Sequence, residues 1–298
     1  MSMRAPHVWS GSEFAELLAM DEVAPRHFRT CSGEANLNGR TYGGQVLALA
    51  MTAAGRTAPP GREPTAMQFM FLQGTRHDEA LDLHVTVLQE GKRFSSRRVS
   101  GSQGGERLCF DAQVSFATPI ASPSHNARPG VPMSDPETLP PVDQLPAEWS
   151  RGLSDALSYP LSERSVLDFR LEDPPERLRL DRAEPRLRYW LKSKARLRDD
   201  PHLHAAVFAY LSDWWVNYPA SGAHLDEAIE GGGLYVASLN HSIWLHAPFR
   251  ADEWLHFESI SPVANSGRGL CIARVHDRDG RLVASVAQEC LMGYRRGE

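Results

Sequence analysis

The run from His204 to Val216 holds the side chain best suited to chemistry. After His204, only Ser212 and Asp213 interrupt its apolar residues. A segment of this length forms about three helical turns, and a helix that is apolar nearly all round is buried. A carboxylate is costly in such a helix unless another group pairs with it or a reaction uses it. Asp213 is therefore a candidate for chemistry, although an exposed carboxylate near a helix end or a structural ion pair fits the same pattern.

A second candidate lies on the last strand that the sequence predicts. One face of this strand carries Leu282, Ala284, Val286, Gln288 and Cys290. A lone amide among apolar side chains needs partners, because an unsatisfied buried polar group costs about 1–3 kcal/mol. Backbone groups are the structural alternative as partners. Together with Asp213, however, Gln288 indicates polar chemistry inside an apolar chamber.

A repeat predicts the elements that position these residues. In the first half, Tyr42-Gly43-Gly44-Gln45 leads into a helix over Val46–Ala54, and the strands that follow are Met67–Leu72, Leu81–Gln89, Phe94–Ser100 and Leu108–Phe116. In the second half, a helix over His204–Val216 accompanies the strands Val166–Leu171, Arg186–Leu197, Leu234–His246, Trp254–Ser261, Gly269–Val275 and Leu282–Met292. A shift of 174 positions aligns Leu108 with Leu282 and Val114 with Gln288.

The repeat predicts an α+β fold built from two copies of one unit, a buried helix wrapped by an antiparallel sheet. The expected units are residues 1–118 and 151–298. A proline-rich linker over residues 119–150 joins them. Because Val114 stands where Gln288 stands, only the C-terminal unit is expected to carry the polar chemistry.

Composition excludes several classes of protein. The 298 residues carry a net charge of −5, which argues against a nucleic-acid partner. No apolar run approaches the ~20 residues that a membrane span needs, and Met1–Ala19 does not have the pattern of a signal peptide. The four cysteines are far apart in the sequence, which favours free thiols in a reducing cytoplasm.

Known catalytic motifs of other enzyme classes are missing from the sequence. There is no Gly-x-Ser-x-Gly turn of an α/β-hydrolase and no phosphate-binding P-loop. Two histidines, His241 and His246, suggest a metal pair, but on a regular strand their odd spacing puts them on opposite faces. Neither a metal nor a cofactor is expected.

Several stretches, taken in order, resemble the type II acyl-CoA thioesterases, the double-hotdog family of bacterial thioesterase B and its peroxisomal relatives. They are Tyr42–Gln45, Gly91–Val99, Ser212-Asp213, Ser238–His246, Pro248–Trp254, Ser266–Gly269 and Ala287–Glu289. The resemblance implies a double hotdog, in which two antiparallel sheets each wrap a central buried helix. It also implies hydrolysis of fatty acyl-CoA to free fatty acid and CoA, without a cofactor.

The same resemblance implies roles for particular residues. The family's catalytic trio is an Asp on the second buried helix, a Ser or Thr on the following strand and a Gln on the last strand. It maps onto Asp213, Ser238 and Gln288. Contacts with the acyl-CoA substrate are expected from Gly44, Gln45 and His241. A homo-oligomer, a dimer or tetramer, is the expected assembly, with no nucleic-acid or membrane partner.

Three departures from the family pattern concern the site. Asn240 stands where an Asp is common, and Trp214–Tyr218 is bulkier and longer than expected. The usual aromatic–Leu–Arg–Pro–Gly stretch reads Phe71-Leu72-Gln73-Gly74. Ser238 also lies on the opposite strand parity from Ile243, so either that face meets the helix or a β-bulge re-aims the serine.

Two rival functions and one basic cluster remain open. The rivals are an acyl-CoA-binding sensor without turnover and a hotdog hydratase, for which His241 is the candidate of a His–Asp pair. The basic residues Lys92, Arg93, Arg97 and Arg98 suggest contacts with CoA phosphates, but a solvated strand face is the preferred interpretation.

Overall fold

The computed structural model describes residues 7–11, 13–36, 39–144, 166–172, 185–224 and 233–294. Its helices are α1 (Phe14–Leu17), α2 (Gly43–Arg56), α3 (Pro201–Ser212) and α4 (Tyr218–Gly222). The strands of the first half are β1 (His7–Val8), β2 (Met20–Ala24), β3 (His27–Thr30), β4 (Ser32–Gly33), β5 (Glu63–Phe71), β6 (Asp82–Glu90), β7 (Phe94–Gln103) and β8 (Arg107–Ala117). Those of the second half are β9 (Leu167–Leu171), β10 (Arg186–Ser193), β11 (Leu234–Leu245), β12 (Leu255–Asn265), β13 (Arg268–His276) and β14 (Leu282–Tyr294).

Twelve of these strands form one sheet, in the order β2-β3-β6-β7-β8-β5-β11-β14-β13-β12-β10-β9. Every neighbouring pair in it is antiparallel. The α+β double hotdog predicted from the sequence is confirmed. The two expected sheets are joined edge to edge, because β5 of the first half pairs with β11 of the second.

The seam between β5 and β11 carries the symmetry of the repeat. Ser242 pairs with Gln68 across it, and these two residues are 174 positions apart. The predicted repeat makes them equivalent residues, so the approximate two-fold axis that relates the two halves passes between them. The neighbouring inward pairs on the two sides of this axis are His241 with Phe69 and Ile243 with Met67.

Helices α2 and α3 lie side by side against the inner face of the sheet. Most residues of both are buried, because neither helix has a polar stripe to turn towards water. Gly44 lies at a close approach between the two helices. A Cβ built on it lies 2.5 Å from the carbonyl oxygen of Tyr210 on α3, and it also meets the Tyr42 ring. Any larger residue at position 44 therefore forces the helices apart.

The described part of the proline-rich segment, residues 119–144, contacts the second half. Its Asn126 and Arg128 donate to the carbonyl oxygens of Leu282 and Asp279 at 3.0 and 2.8 Å. Glu137 accepts a bond of 2.8 Å from the indole of Trp254. The expected end of the linker at residue 150 and start of the second unit at residue 151 lie outside the described residues.

The basic cluster, of which Arg97 and Arg98 lie on β7 and Lys92 and Arg93 just before it, is not the uniformly solvated face that the sequence suggested. Arg97 is 1% exposed, and its guanidinium donates to the carbonyl of Thr57 at 2.8 Å and to Glu90 at 2.7 Å. Arg98 is exposed and pairs with Asp111. Arg97 therefore anchors the end of α2 to the sheet, and its buried charge is not available to a ligand.

Among the described residues, no helix has the length and apolar character that a membrane span requires.

Candidate active site

Helix α3 ends earlier than the sequence predicted. It covers Pro201–Ser212 rather than His204–Val216, because Asp200 caps its first turn and the backbone of Trp215 has a φ of 60° that no helix continues through. Asp213 is the residue just past the last turn and is half-buried. Asp213 therefore lies at the end of the buried helix and not inside it; of the alternatives that the sequence left open, the position near a helix end applies, but the residue is half-buried rather than exposed.

The Asp213 carboxylate lies against the first turn of α2. A Cβ built on Gly43 comes within 2.6 Å of Asp213 Oδ2. The first N–H groups of a helix have no partner within the helix, and this end carries a partial positive charge that favours an anion. The C-terminus of α3 carries a partial negative charge, which disfavours the same carboxylate. Two buried helices thus meet at one carboxylate, and glycine at position 43 is what permits the close approach.

The turn after Asp213 is held by buried hydroxyl groups. Tyr189 on β10 donates to the carbonyl of Trp214 at 3.0 Å, and Ser259 on β12 donates to that of Val216 at 3.3 Å. Burial raises the pKa of Tyr189 well above its ordinary value, and the nearby Cys271 and Asp213 add to this. The tyrosine therefore stays protonated and remains a donor.

A β-bulge settles the orientation of Ser238. On β11, the pairing with β14 shifts between Ser238 and Asn240, so Leu239 is an extra residue. Ser238 pairs with Cys290 and His241 pairs with Gln288, although the two β11 residues have opposite parity. Because Gln288 and Cys290 are both fully buried on the inner face of β14, their partners face inward as well.

A chain of hydrogen bonds connects these residues. The Gln288 amide nitrogen donates to Ser238 Oγ at 2.8 Å, and the Gln288 carbonyl oxygen contacts His241 Nδ1. On the other side of the ring, His241 Nε2 lies 2.9 Å from Ser212 Oγ. Ser212 immediately precedes Asp213. The structure thus brings Ser238 and Gln288 into direct contact and connects them to the residue next to Asp213.

The predicted substrate-binding residues have different surroundings. The Gln45 side chain is fully buried, and its amide bonds the backbone of Glu34 at 2.8 Å and of Ser32 at 3.1 Å. Gly44 packs against α3, as described above. His241 is 0% exposed, and both of its ring nitrogens have protein partners. The polar side-chain atoms of Gln45 and His241 are therefore occupied within the protein.

Two residues of the site were not assigned a role from the sequence. Gly43 was noted only as part of a glycine turn, and its neighbour Gly44 was chosen instead. Ser212 was visible as the other polar residue in the apolar run, and that interruption was the signal that could have identified it.

The bulky segment after Asp213 is part of the core. Trp214, Trp215 and Tyr218 are each at least nine-tenths buried, and Trp215 packs on Phe169 and Tyr218 at ring distances of 5.5 and 4.9 Å. A cleft of about 950 Å³ opens elsewhere, beside Pro201, His204 and Ala205 at the first turns of α3. Its lining residues on α3 lie about 12–18 Å along the helix axis from Asp213, and the lining contains none of the trio. In the described part of the chain, no group of three or more His, Cys, Asp or Glu side chains is arranged for a metal.

The buried ring of His241 predicts a pH dependence of stability. Burial lowers the pKa of His241 to about 4. The hydrogen bond with Gln288 raises this pKa, but by less than burial lowers it. Between about pH 6.5 and pH 4 the unfolded chain binds a proton at this histidine that the folded protein does not, so the free energy of unfolding falls as the pH is lowered through that range. Thermal unfolding of the wild type and of His241→Asn, followed at a series of pH values, should show a shallower dependence in the variant. The exposed His125, changed to Asn, is the control and should leave the slope unchanged; an equal slope in His241→Asn would contradict the prediction.

Comparisons with known proteins agree with this architecture. Family models described as the acyl-CoA thioesterase N-terminal and C-terminal domains match residues 32–117 and 136–292. Acyl-coenzyme A thioesterase 8 of Mus musculus is 30% identical over 84% of this chain and 79% of its own length. Acyl-CoA thioesterase 2 of Haemophilus influenzae is 28% identical over 93% of this chain and 96% of its own length. The crystal structure of the acyl-CoA thioesterase II TesB2 from Mycobacterium marinum superposes with a TM-score of 0.75 at 30% identity and covers 96% of this chain and all of that one. The chain therefore belongs to the type II acyl-CoA thioesterase family.

Proposed function

We propose that this protein hydrolyses fatty acyl-CoA thioesters to the free fatty acid and CoA, by attack of one water molecule that Asp213, Ser238 and Gln288 hold beside the thioester carbonyl. The observation that carries the proposal is a carboxylate against the first turn of a buried helix, whose neighbour Ser212 is linked through His241 to the Ser238–Gln288 hydroxyl–amide pair. Family membership supports the reaction class.

In the proposed mechanism Asp213 is the general base. It accepts a proton from the water as the water oxygen attacks the carbonyl carbon. The Ser238 hydroxyl, which accepts a hydrogen bond from Gln288, directs its own hydrogen towards the water oxygen and orients it. General-base assistance of this kind contributes about 10²–10⁴-fold to the rate.

The first turn of α2 is suited to stabilise the tetrahedral intermediate. The N–H of Gln45 donates to the Tyr42 carbonyl oxygen at 3.1 Å, so the candidate donors are those of Gly43 and Gly44, which carry no side chains. Fixed donors aimed at a developing oxyanion are worth most where water is excluded. Collapse of the intermediate then releases the CoA thiolate. No covalent acyl-enzyme is needed on this path.

The rival functions fit the contacts less well. A hydratase requires a histidine that faces the substrate, but both ring nitrogens of His241 are bonded to Ser212 and Gln288. A sensor without turnover needs neither a carboxylate at the helix junction nor a buried hydroxyl–amide pair. Measuring hydrolysis and hydration on the same protein compares the thioesterase with the hydratase directly.

A panel of saturated acyl-CoA thioesters of graded chain length tests the proposal. Thiol release should occur with at least part of the panel and should define the preferred chain length. Crotonyl-CoA, followed by ultraviolet absorbance, should show no hydration. Binding of acyl-CoA without thiol release would favour the sensor, and loss of the crotonyl absorbance without thiol release would favour the hydratase.

We also propose a division of the chain into two units, an assembly and a cellular compartment. The chain divides into units at residues 1–118 and 151–298, with the catalytic residues in the second. It assembles as a homo-oligomer, for which exposed apolar residues on the outer face of the sheet, such as Ile260 and Ile272, offer a contact surface. It acts in the cytoplasm, a setting supported by the four free cysteines.

A further inference from the structure

We infer that His241 is a positioning residue whose tautomer fixes which end of the Gln288 amide faces Ser238. The inference rests on the proposed hydrolysis by Asp213, Ser238 and Gln288. His241 has no place among the reacting atoms, because it is 0% exposed and its two ring nitrogens contact Gln288 and Ser212. It acts by setting the direction of the hydrogen bonds that reach the attacking water.

The direction of the chain depends on a single hydrogen at Ser212. The Ser212 hydroxyl lies 2.9 Å from the carbonyl oxygen of Ala209 and 2.9 Å from His241 Nε2. It has one hydrogen and donates to only one of them. The ring of His241 is neutral at pH 7, because burial lowers its pKa to about 4, so only one of its nitrogens carries hydrogen.

Two arrangements satisfy every group in the chain. In the first, Ser212 donates to His241 Nε2, the ring donates from Nδ1 to the carbonyl oxygen of Gln288, and the Gln288 amide nitrogen donates to Ser238. In the second, Ser212 donates to Ala209 and each of the other bonds reverses. The Gln288 nitrogen then donates to Nδ1, and its oxygen accepts the hydrogen of Ser238.

Only the first arrangement suits hydrolysis. It leaves the hydrogen of Ser238 available to the water, whereas the second commits that hydrogen to Gln288. The structure has the first arrangement at the amide, with the Gln288 nitrogen 2.8 Å from Ser238 Oγ and its oxygen towards Nδ1. His241 is therefore expected as the Nδ1–H tautomer.

The first half of the chain supports a functional reason for this pair. Under the repeat, Gln288 and His241 correspond to Val114 and Met67, which pair with each other on β8 and β5. All four side chains are fully buried. The fold therefore accepts an apolar pair at this position, and the second half carries the amide and the imidazole together.

The tautomer can be read directly by NMR. In protein labelled with ¹⁵N-histidine, long-range proton–nitrogen correlations distinguish the protonated from the bare ring nitrogen, and His241→Asn identifies the signals of His241. We expect Nδ1 protonated and Nε2 bare at pH 7. The opposite tautomer would overturn the inference. This measurement does not depend on activity, so it stands even if no acyl-CoA is hydrolysed.

Two near-isosteric variants separate the two ring nitrogens. Asn places an amide where Nδ1 stands and can still donate to Gln288, whereas Gln reaches Ser212 but leaves Gln288 without its donor. We expect His241→Gln to lower kcat about ten- to hundredfold with little change in KM, and His241→Asn to retain most of kcat. Equal activities of the two variants would overturn the positioning role. Absence of thiol release by the wild type on the whole panel would count against the proposed function instead.

A double variant tests whether the pair is needed only for folding. His241→Met with Gln288→Val copies the pair of the first half. We expect it to fold and melt close to the wild type, because replacing both partners of a buried hydrogen bond by apolar groups is nearly neutral. It should have no turnover. A large drop in melting temperature would assign the pair to the fold and overturn the inference.

Discussion

Asp213→Asn should reduce acyl-CoA hydrolysis by about 10²–10⁴-fold while the protein remains folded. The amide has nearly the shape of the carboxylate, so it keeps its place between the end of α3 and the first turn of α2. It cannot accept the proton of the attacking water. The decisive measurement is kcat from thiol release on the best substrate of the panel, with the melting temperature taken on the same sample.

The matched control for this variant is Asp279→Asn. Asp279 is exposed in the turn between β13 and β14 and lies outside the trio, so the same chemical change there should leave kcat unaltered. If Asp213→Asn hydrolyses acyl-CoA at the wild-type rate, Asp213 is not the general base and the proposed mechanism is wrong.

Gly44→Ala should destabilise the protein and impair the site together. The added methyl meets the Tyr210 carbonyl oxygen at 2.5 Å, and a backbone atom cannot turn aside as a flexible side chain can. Overpacking of a buried contact costs about 1–3 kcal/mol. Relief requires α2 to move away from α3, which also withdraws its first turn from Asp213. We expect a melting temperature lower by several degrees and a lower kcat.

Gly293→Ala on β14 is the comparison. A Cβ at Gly293 has no heavy atom within 4 Å, so this variant should melt and react as the wild type does. A Gly44→Ala protein with wild-type melting temperature and activity would mean that the helices separate freely, and the close approach would then have no functional role.

The parts of the fold with regular periodicity were predictable from the sequence. On β14 the alternation places Ala284, Val286, Gln288 and Cys290 inward, and all four are fully buried. The helix after Tyr42 was also predicted correctly, because an Ala- and Leu-rich segment with no polar stripe is typical of a buried helix. It covers Gly43–Arg56 rather than Val46–Ala54, so it is longer at both ends than predicted.

The parts that depend on distant contacts or local irregularity were not predictable. Alternation left open whether the face of Ser238 meets the helix or a β-bulge re-aims it, since no glycine or proline marks the bulge at Leu239. The end of α3 has no sequence signal before Pro219, because the left-handed backbone of Trp215 is imposed by tertiary contacts. Arg97 looked like one more surface cation, and only the nearby end of α2 shows why it is buried.

The pairing of β5 with β11 has a consequence for the synthesis of the protein on the ribosome. When the first half has been made, β5 is hydrogen-bonded to β8 on one side only, and its other edge waits for Leu234–Leu245. At ~5–20 residues per second, the delay is on the order of ten seconds. During that time the nascent chain exposes the unpaired edge of β5, a strand with apolar side chains. Such an edge is a template for pairing with other nascent chains on the same messenger RNA.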